Sequence, residues 1–241
     1  MEADVYRSMA VAEQQHWWFV GRRVVLASVL DELVPERNAE IIELGAGTGG
    51  NLALLSGYGH VRGVEPDDFG RQAGRAKGFE VEAGFLPGPL PFPPASADLV
   101  ALLDVLEHLD DDKACLAAAA SLLRPGGLLL LTVPAYPWLW SNHDVRHHHK
   151  RRYRLREVER LARGIGLDVV RTSYFNMLLL PLAVLARVIK KVTGAQMSED
   201  ATPAAPVNAL FTQLLASEGK WLKRRSLPAG LSILVVLKRP A

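Results

Sequence analysis

The sequence predicts an α/β fold, and three observations carry that reading. First, Ile41-Ile42-Glu43-Leu44 opens an apolar run led by β-branched residues, glycines follow at 45, 47, 49 and 50, and Asn51 to Leu55 can start a helix. Strand, glycine bend and helix is the unit with which an α/β sheet opens a nucleotide site. Glycine lets the backbone turn tightly beside a ligand, and the helix N-terminus offers unpaired N–H groups. Second, further apolar strands recur between helical patterns: Val61–Val64, Val81–Ala83, Leu99–Leu103, Leu128–Val133, Leu167–Ser173 and Leu231–Leu237. Third, Glu65 stands 20 residues after Gly45 at a strand end, where a carboxylate can accept both hydroxyls of a ribose.

Composition sets the bounds. A chain of 241 residues suits one α/β domain with a modest insertion, and 49% apolar with 22% charged residues is ordinary for a globular protein. A net charge of +2 excludes a whole-molecule polycation, so local patches matter more. Cys115 is the only cysteine, which excludes an internal disulfide and a cysteine metal site and suits a reducing cytoplasm. Acidic Glu2 and Asp4 do not fit a signal peptide, and the longest apolar run, Met177–Ala186, contains Pro181 and is too short to span a bilayer.

Residues 1–34 read as two helices, one with Val5, Met9, Ala12 and His16 at helical spacing, the other from Arg22 with Val25, Leu26, Val29, Leu30 and Leu33 on one stripe. Between them His16-Trp17-Trp18-Phe19 reads either as a staple joining the helices to the sheet or as a cap over the cofactor or substrate mouth, while Arg22 and Arg23 are expected in solvent. Phe69–Lys77 is a helix weakened by Gly70 and Gly74. Leu90-Pro91-Phe92-Pro93-Pro94 is a stiff loop before Asp98 and the fourth strand. That strand ends at Asp104-Val105-Leu106-Glu107-His108-Leu109, where an open α/β sheet holds its ligand. A helix from Asp110–Asp112 to Leu123 closes in Leu122-Leu123-Arg124-Pro125-Gly126-Gly127 before the fifth strand.

Several of these stretches belong together. The glycines fit a dinucleotide G-x-G-x-x-G (45, 47, 50) and also the G-x-G-x-G (45, 47, 49) of S-adenosylmethionine (SAM) enzymes. Glu43 separates the two, since a carboxylate two residues before the first glycine would repel a pyrophosphate and favours the sulfonium and ammonium of SAM. With the L-P-F-x-x-x-S-x-D-x-V run at 90–100, the Leu106-Glu107-His108 segment and the L-R-P-G-G turn at 123–127, the chain resembles the small-molecule class I SAM-dependent methyltransferases. The resemblance covers about residues 40–175 and 230–239. It implies a Rossmann-like, seven-stranded, mostly parallel sheet with an antiparallel last strand and helices on both faces. It also implies an N-terminal helical cap (1–39), a SAM-binding core (40–175), a helical insertion or lid (176–229) and the last core strand (230–241). The SAM contacts it implies are Glu43, Gly45, Ala46, Gly47, Gly49, Glu65, Pro66, Asp104 and Val105. The family often has an acidic residue after the third strand to hold the adenine amino group; here stand Gly84-Phe85-Leu86, so a backbone group or stacking on Phe85 would replace it.

Beyond the fifth strand the chain departs from pattern. Tyr136, Trp138 and Trp140 precede His143 and Asp144 at the ligand edge, which suits a substrate pocket, and Trp17, Trp18 and Arg152 join its expected lining. His143 is the expected general base, with His108 second or bracing the loop, because methylation of a hydroxyl requires proton removal near neutral pH. His143, Asp144, His147, His148 and His149 crowd one loop and cannot all converge, so no metal is expected. The basic run through Lys150, Arg151, Arg152, Arg154 and Arg156 is a solvated face or a phosphate contact, and Tyr153 alone is too little aromatic surface for nucleic acid. Leu155–Ile165 is a helix. Two apolar helices follow, Met177–Val192 and Val207–Arg225, joined by a proline-rich linker from 193 to 206, with Lys190, Lys191 and Lys223-Arg224-Arg225 at their ends. They read as a lid or homodimer contact, or as a surface for a lipid-linked substrate at a membrane.

The expected activity is methyl transfer from SAM, leaving S-adenosylhomocysteine, to an O or N nucleophile of a small molecule such as a secondary metabolite, glycan or lipid-linked precursor. The setting is cytoplasmic, with membrane association if the substrate is lipid-linked. RNA methylation through the basic 146–156 loop, a non-catalytic SAM-binding module and, more remotely, an NAD dehydrogenase are the alternatives. Acceptor, oligomeric state and the role of 176–226 are not legible.

Overall fold

The computed structural model describes residues 10–193 and 202–241; Val5 and Met9 of the expected first helix, and most of the expected linker, lie outside them. After a helical stretch at 10–15 come α1 (Trp17–Leu33), β1 (Ala39–Leu44), α2 (Leu52–Leu55), β2 (Gly59–Glu65), α3 (Asp68–Ala76), β3 (Glu80–Ala83), β4 (Ala97–Leu103), α4 (Asp112–Ser121) and β5 (Leu123–Pro134). Then follow α5 (Asn142–Arg146), α6 (Leu155–Arg163), β6 (Asp168–Phe175), α7 (Leu180–Thr193), α8 (Ala205–Leu222) and β7 (Ser232–Lys238).

The strands form one seven-stranded sheet in the order β3-β2-β1-β4-β5-β7-β6. Neighbours from β3 to β5 run parallel, and β7 lies antiparallel to both β5 and β6. The strand order reverses between β1 and β4, which opens a crevice at their carboxyl ends. The central strands are buried on both faces: Ile41, Ile42 and Leu44 of β1 and Ile233 to Leu237 of β7 are almost wholly inaccessible. Their alternating side chains feed two cores. One packs α1, α2 and α8 on the sheet through Val25, Leu26, Val29, Leu30, Leu52 and Leu215; the other packs α4 and α6 through Cys115, Leu116, Ala119, Val158 and Ala162.

Three details differ from the sequence expectation. The second helix starts at Trp17 rather than Arg22, because the His16 ring Nδ1 accepts the Trp18 N–H (3.3 Å) and caps it. The helix at 52–55 lasts one turn before a 3₁₀ turn at 56–58. The Arg124-Pro125-Gly126-Gly127 segment is not a turn ahead of β5 but a bulge inside it: β5 advances from Leu123 to Leu128 while β4 advances from Ala97 to Leu99, and Gly126 takes φ +81° to allow it.

The segment before β7 is built into the sheet face. A Cβ on Gly21 of α1 would sit 2.9 Å from Leu215 of α8, so the two helices cross closely. Glu218 of α8 is fully buried and accepts the N–H groups of Asn176 (2.6 Å) and Leu178 (2.9 Å), which pins the exit of β6. α7 instead leaves Leu182, Leu185, Val188 and Ile189 exposed. Among the described residues no helix is long and apolar enough to cross a membrane.

Candidate active site

The glycine bend follows β1 at the crevice. Gly45, Gly47 and Gly49 have φ of +76°, +55° and +83°, the left-handed region that penalises a Cβ. A side chain at Gly45 would meet Val105 Cγ2 at 2.6 Å, whereas at Gly47 nothing lies within 4 Å. Gly45 is therefore fixed by packing against the loop after β4, and Gly47 lies beside open space. The bend is tied to β2 by Gly45 and Ala46 N–H groups on the Val64 carbonyl (2.8 and 3.0 Å). Glu65, buried at the end of β2, accepts Gly47 N–H at 2.8 Å through Oε2 and Asp67 N–H at 3.0 Å through Oε1.

Glu43 is the second buried carboxylate. Its Oε1 accepts from Asn51 Nδ2 (2.9 Å), and among the described residues its Oε2 has no hydrogen-bond partner. Burial raises its pKa to about 7, against the Asn51 hydrogen bond and the Arg22 charge, which lower it. Arg22 corrects the expectation of a solvated side chain. It is buried, with Nη2 3.0 Å from Asp104 Oδ2, and its charge acts on both Glu43 and Glu107. The signal was present: Arg22 falls three and four residues before Val25 and Leu26, on the inward stripe of α1. Asp104 itself sits at φ +56° with its N–H on the Thr132 carbonyl (3.0 Å), so β5 holds the loop it begins.

The N-terminal helical stretch crosses the far side of the bend. Glu13 is buried, accepts from Thr48 Oγ1 (2.7 Å) and pairs with Lys77, whose Nζ also donates to the Thr48 carbonyl (2.7 Å). Glu13, Asn51 and Lys77 escaped the sequence reading because each acts across 8 to 64 positions of chain. Near the expected adenine side Pro66 and Phe85 are exposed, and Val105 is half-buried. A ligand with a cationic group and a ribose fits this arrangement: a buried carboxylate oxygen without a partner, a second carboxylate at the bend, and room over Gly47.

The segment after β5 is organised by Asp144. Ser141 caps α5, and its N–H donates to Asp144 Oδ2 (2.8 Å). Asp144 Oδ1 takes Arg152 Nε (2.7 Å) and His149 Nδ1 (2.9 Å). Burial opposes the charge on Asp144, but the hydrogen bonds from His149 and Arg152 outweigh it and hold the carboxyl below the usual range. Arg152, expected at the substrate, is itself buried and also donates to the Ala135 carbonyl (3.3 Å). Arg151 pairs with Asp112 and Lys150 with Asp110, so with Arg152 three of the five residues of the expected basic run are engaged by the chain's own acids.

The two expected bases, 35 positions apart, both stand near His149. The His108 ring stands perpendicular to His149, centroids 4.7 Å apart, and His143 lies 5.9 Å from His149 and 4.3 Å from His147. Burial, then the neighbouring His149 and His147, lowers the His108 pKa to about 4. Tyr136, at φ +58°, stacks on Tyr174 of β6 (5.2 Å) and touches Trp138 (5.6 Å); Trp138 and Trp140 are exposed beside them. Trp17 and Trp18 sit elsewhere. Trp17 meets Phe211 of α8 edge-on (5.6 Å), and Trp18 stacks on Phe175 of β6 (5.8 Å) within the α1 core.

Known proteins share this fold. A family model described as a methyltransferase domain matches residues 19–172. A relative from Mycolicibacterium smegmatis, named a probable S-adenosylmethionine-dependent methyltransferase, is 26% identical over 168 residues, which is 68% of this chain and 64% of that protein. Among solved structures, a chain of the complex between the Haloferax volcanii Trm112 methyltransferase activator and a methyltransferase superposes with TM-score 0.65 at 20% identity, covering 99% of this chain and 95% of that one. A SAM-dependent methyltransferase from Thermotoga maritima gives 0.58 at 19% identity, covering 98% and 99%. At these identities the structural likeness speaks for the fold.

Proposed function

The chain belongs to the methyltransferase-domain family, and from that premise we propose that it transfers a methyl group from SAM to an oxygen or nitrogen of a small molecule. The observation that carries the cofactor is Glu43, a buried carboxylate with one oxygen unpartnered, beside the left-handed bend at Gly45–Gly49. The bound sulfonium supplies an already activated methyl. Glu43 attracts the cationic end, Glu65 accepts ribose hydroxyls while holding Gly47, and Arg22 keeps Asp104 in place at the wall of the crevice. What remains for the protein is alignment of the nucleophile, worth roughly 7–11 kcal/mol when reacting atoms are held in line.

For proton removal the assignment goes to His143, because a His108 ring with its pKa near 4 is a weak base at neutral pH. The acceptor enters between Tyr136, Trp138 and Trp140. Pairing of Lys150, Arg151 and Arg152 within the chain leaves little charge for an RNA backbone, which favours a small acceptor. Calorimetry with S-adenosylhomocysteine tests the reading: stoichiometric binding that disappears in Gly47→Arg is expected, and no binding by the wild-type protein refutes it.

A further inference from the structure

Glu107 takes no part in the proposed cofactor seat. It lies in the 3₁₀ turn after β4 with no exposed surface, and among the described residues neither carboxylate oxygen has a hydrogen-bond partner. A buried acid without partners is costly unless something else satisfies it. Its chain neighbour His108 and, from the loop after β5, His149 face it: one ligand atom from each of the three lies within 4.8 Å of the other two.

We propose that Glu107, His108 and His149 form a binding site for a divalent transition-metal ion at the acceptor side of the crevice. Two imidazoles and one carboxylate are a donor set for zinc or ferrous iron with open positions, not for magnesium or calcium, which take oxygen ligands. The support around the site is the kind a metal ligand needs. Nδ1 of His149 is held by Asp144 at 2.9 Å, which leaves Nε2 as the nitrogen able to donate to an ion. Asp144 is itself fixed by Arg152 and the Ser141 N–H. Closing the three atoms from their present spacing onto an ion about 2.0–2.2 Å away asks for small side-chain rotations. The open positions would receive water or an oxygen of the acceptor; that last clause rests on the methyltransferase reading, and the site itself does not.

The loop-bound histidine cluster hides this set from sequence. His143, His147, His148 and His149 suggest a metal made within one loop, whereas the ligands here come from two loops about 40 positions apart.

The test is titration of the whole protein with Co²⁺, read by visible absorption, and with Zn²⁺, read by calorimetry, with Mg²⁺ as the control ion. One equivalent of Co²⁺ or Zn²⁺ should bind, and Mg²⁺ should not compete. Glu107→Gln, which removes a charge from a buried site and preserves volume, should fold and lose the ion. His149→Ala should do the same. Asp144→Asn, which keeps an oxygen acceptor for Arg152 and His149 but removes the charge, should weaken binding by about 10–100-fold where the variant remains folded. His147→Ala and His148→Ala should bind as the wild type does. The proposal is overturned if the wild-type protein binds no stoichiometric ion, if Glu107→Gln binds unchanged, or if His147→Ala abolishes binding. Calorimetry with S-adenosylhomocysteine on the same preparations separates the two readings. A wild-type protein that binds the cofactor product and no ion sinks this inference alone.

Discussion

The two sides of the crevice are built on different principles. The β1–β2 side is shaped by backbone: three left-handed glycines, a bend tied to Val64, and two buried carboxylates within a few residues of strand ends. On the β4–β5 side the groups that matter are side chains brought together from separate loops, with Asp144 as the anchor for His149 and Arg152 and with Glu107 and His108 facing them. The first side tolerates almost no change of backbone geometry and yields a fixed seat. The second can change its chemistry by exchanging side chains on a stable frame, which is why a family can keep one donor and vary its acceptor.

The sharpest way to break that contrast is at Gly47. Its Cβ direction is open, so only the left-handed φ of +55° opposes a side chain, at about 1–2 kcal/mol; Gly47→Arg should lower the melting temperature by only a few degrees yet weaken S-adenosylhomocysteine binding by 100-fold or more, on the order of 3 kcal/mol, as measured by calorimetry. A variant that still binds would show that the ligand lies elsewhere. The corresponding experiment on the other side is Asp144→Ala. It leaves the buried Arg152 without its carboxylate and should cost about 3–5 kcal/mol in denaturant unfolding. Cofactor affinity, measured where the variant remains folded, should stay within about threefold if the two sides are independent.

Arg22 is where the sides meet, since its charge reaches Glu43, Asp104 and Glu107. Arg22→Met should weaken cofactor binding by about tenfold, or roughly 1.4 kcal/mol, and raise the pH at which binding is half lost. The wild-type pH dependence has a definite sign. Glu43 receives a cation as the carboxylate and has a pKa raised to about 7, so affinity should fall as pH drops below about 7, approaching tenfold per unit for one linked proton. In the absence of ligand the sign reverses. A pKa raised on folding favours the protonated acid, so the stability that Glu43 contributes is present near pH 4 and lost as pH rises through about 7. Glu43→Gln should flatten both profiles. The smallest effect is expected at Trp138, which is 64% exposed: Trp138→Ala should change unfolding free energy by within about 0.5 kcal/mol while lowering turnover of a true acceptor.

Much of the frame could be read without coordinates because it rests on local rules. The β1 run, the glycine spacing, Glu65 and the strand periods all act over fewer than about twenty residues. The misreadings have equally local causes. Arg22 was assigned to solvent by residue type although its helical position faced inward, and the 124–127 bulge was read as a turn because both use glycine after proline. On the acceptor side, sequence listed the histidines and aromatics but not their grouping. His108 with His149, Tyr136 with Tyr174, and Asp144 with Arg152 depend on which loops the sheet order sets side by side.

The amino-acid sequence by itself determined the alternation of strands and helices, the glycine bend proposed as the cofactor seat and the acids beside it, since these follow from backbone preference and short-range periodicity. Only the tertiary structure decided that β7 separates β5 from β6, that α8 lies against α1, and that Glu107 without partners faces two histidines. Those are contacts across tens to hundreds of positions, chosen by which buried surfaces fit, and no local pattern encodes them.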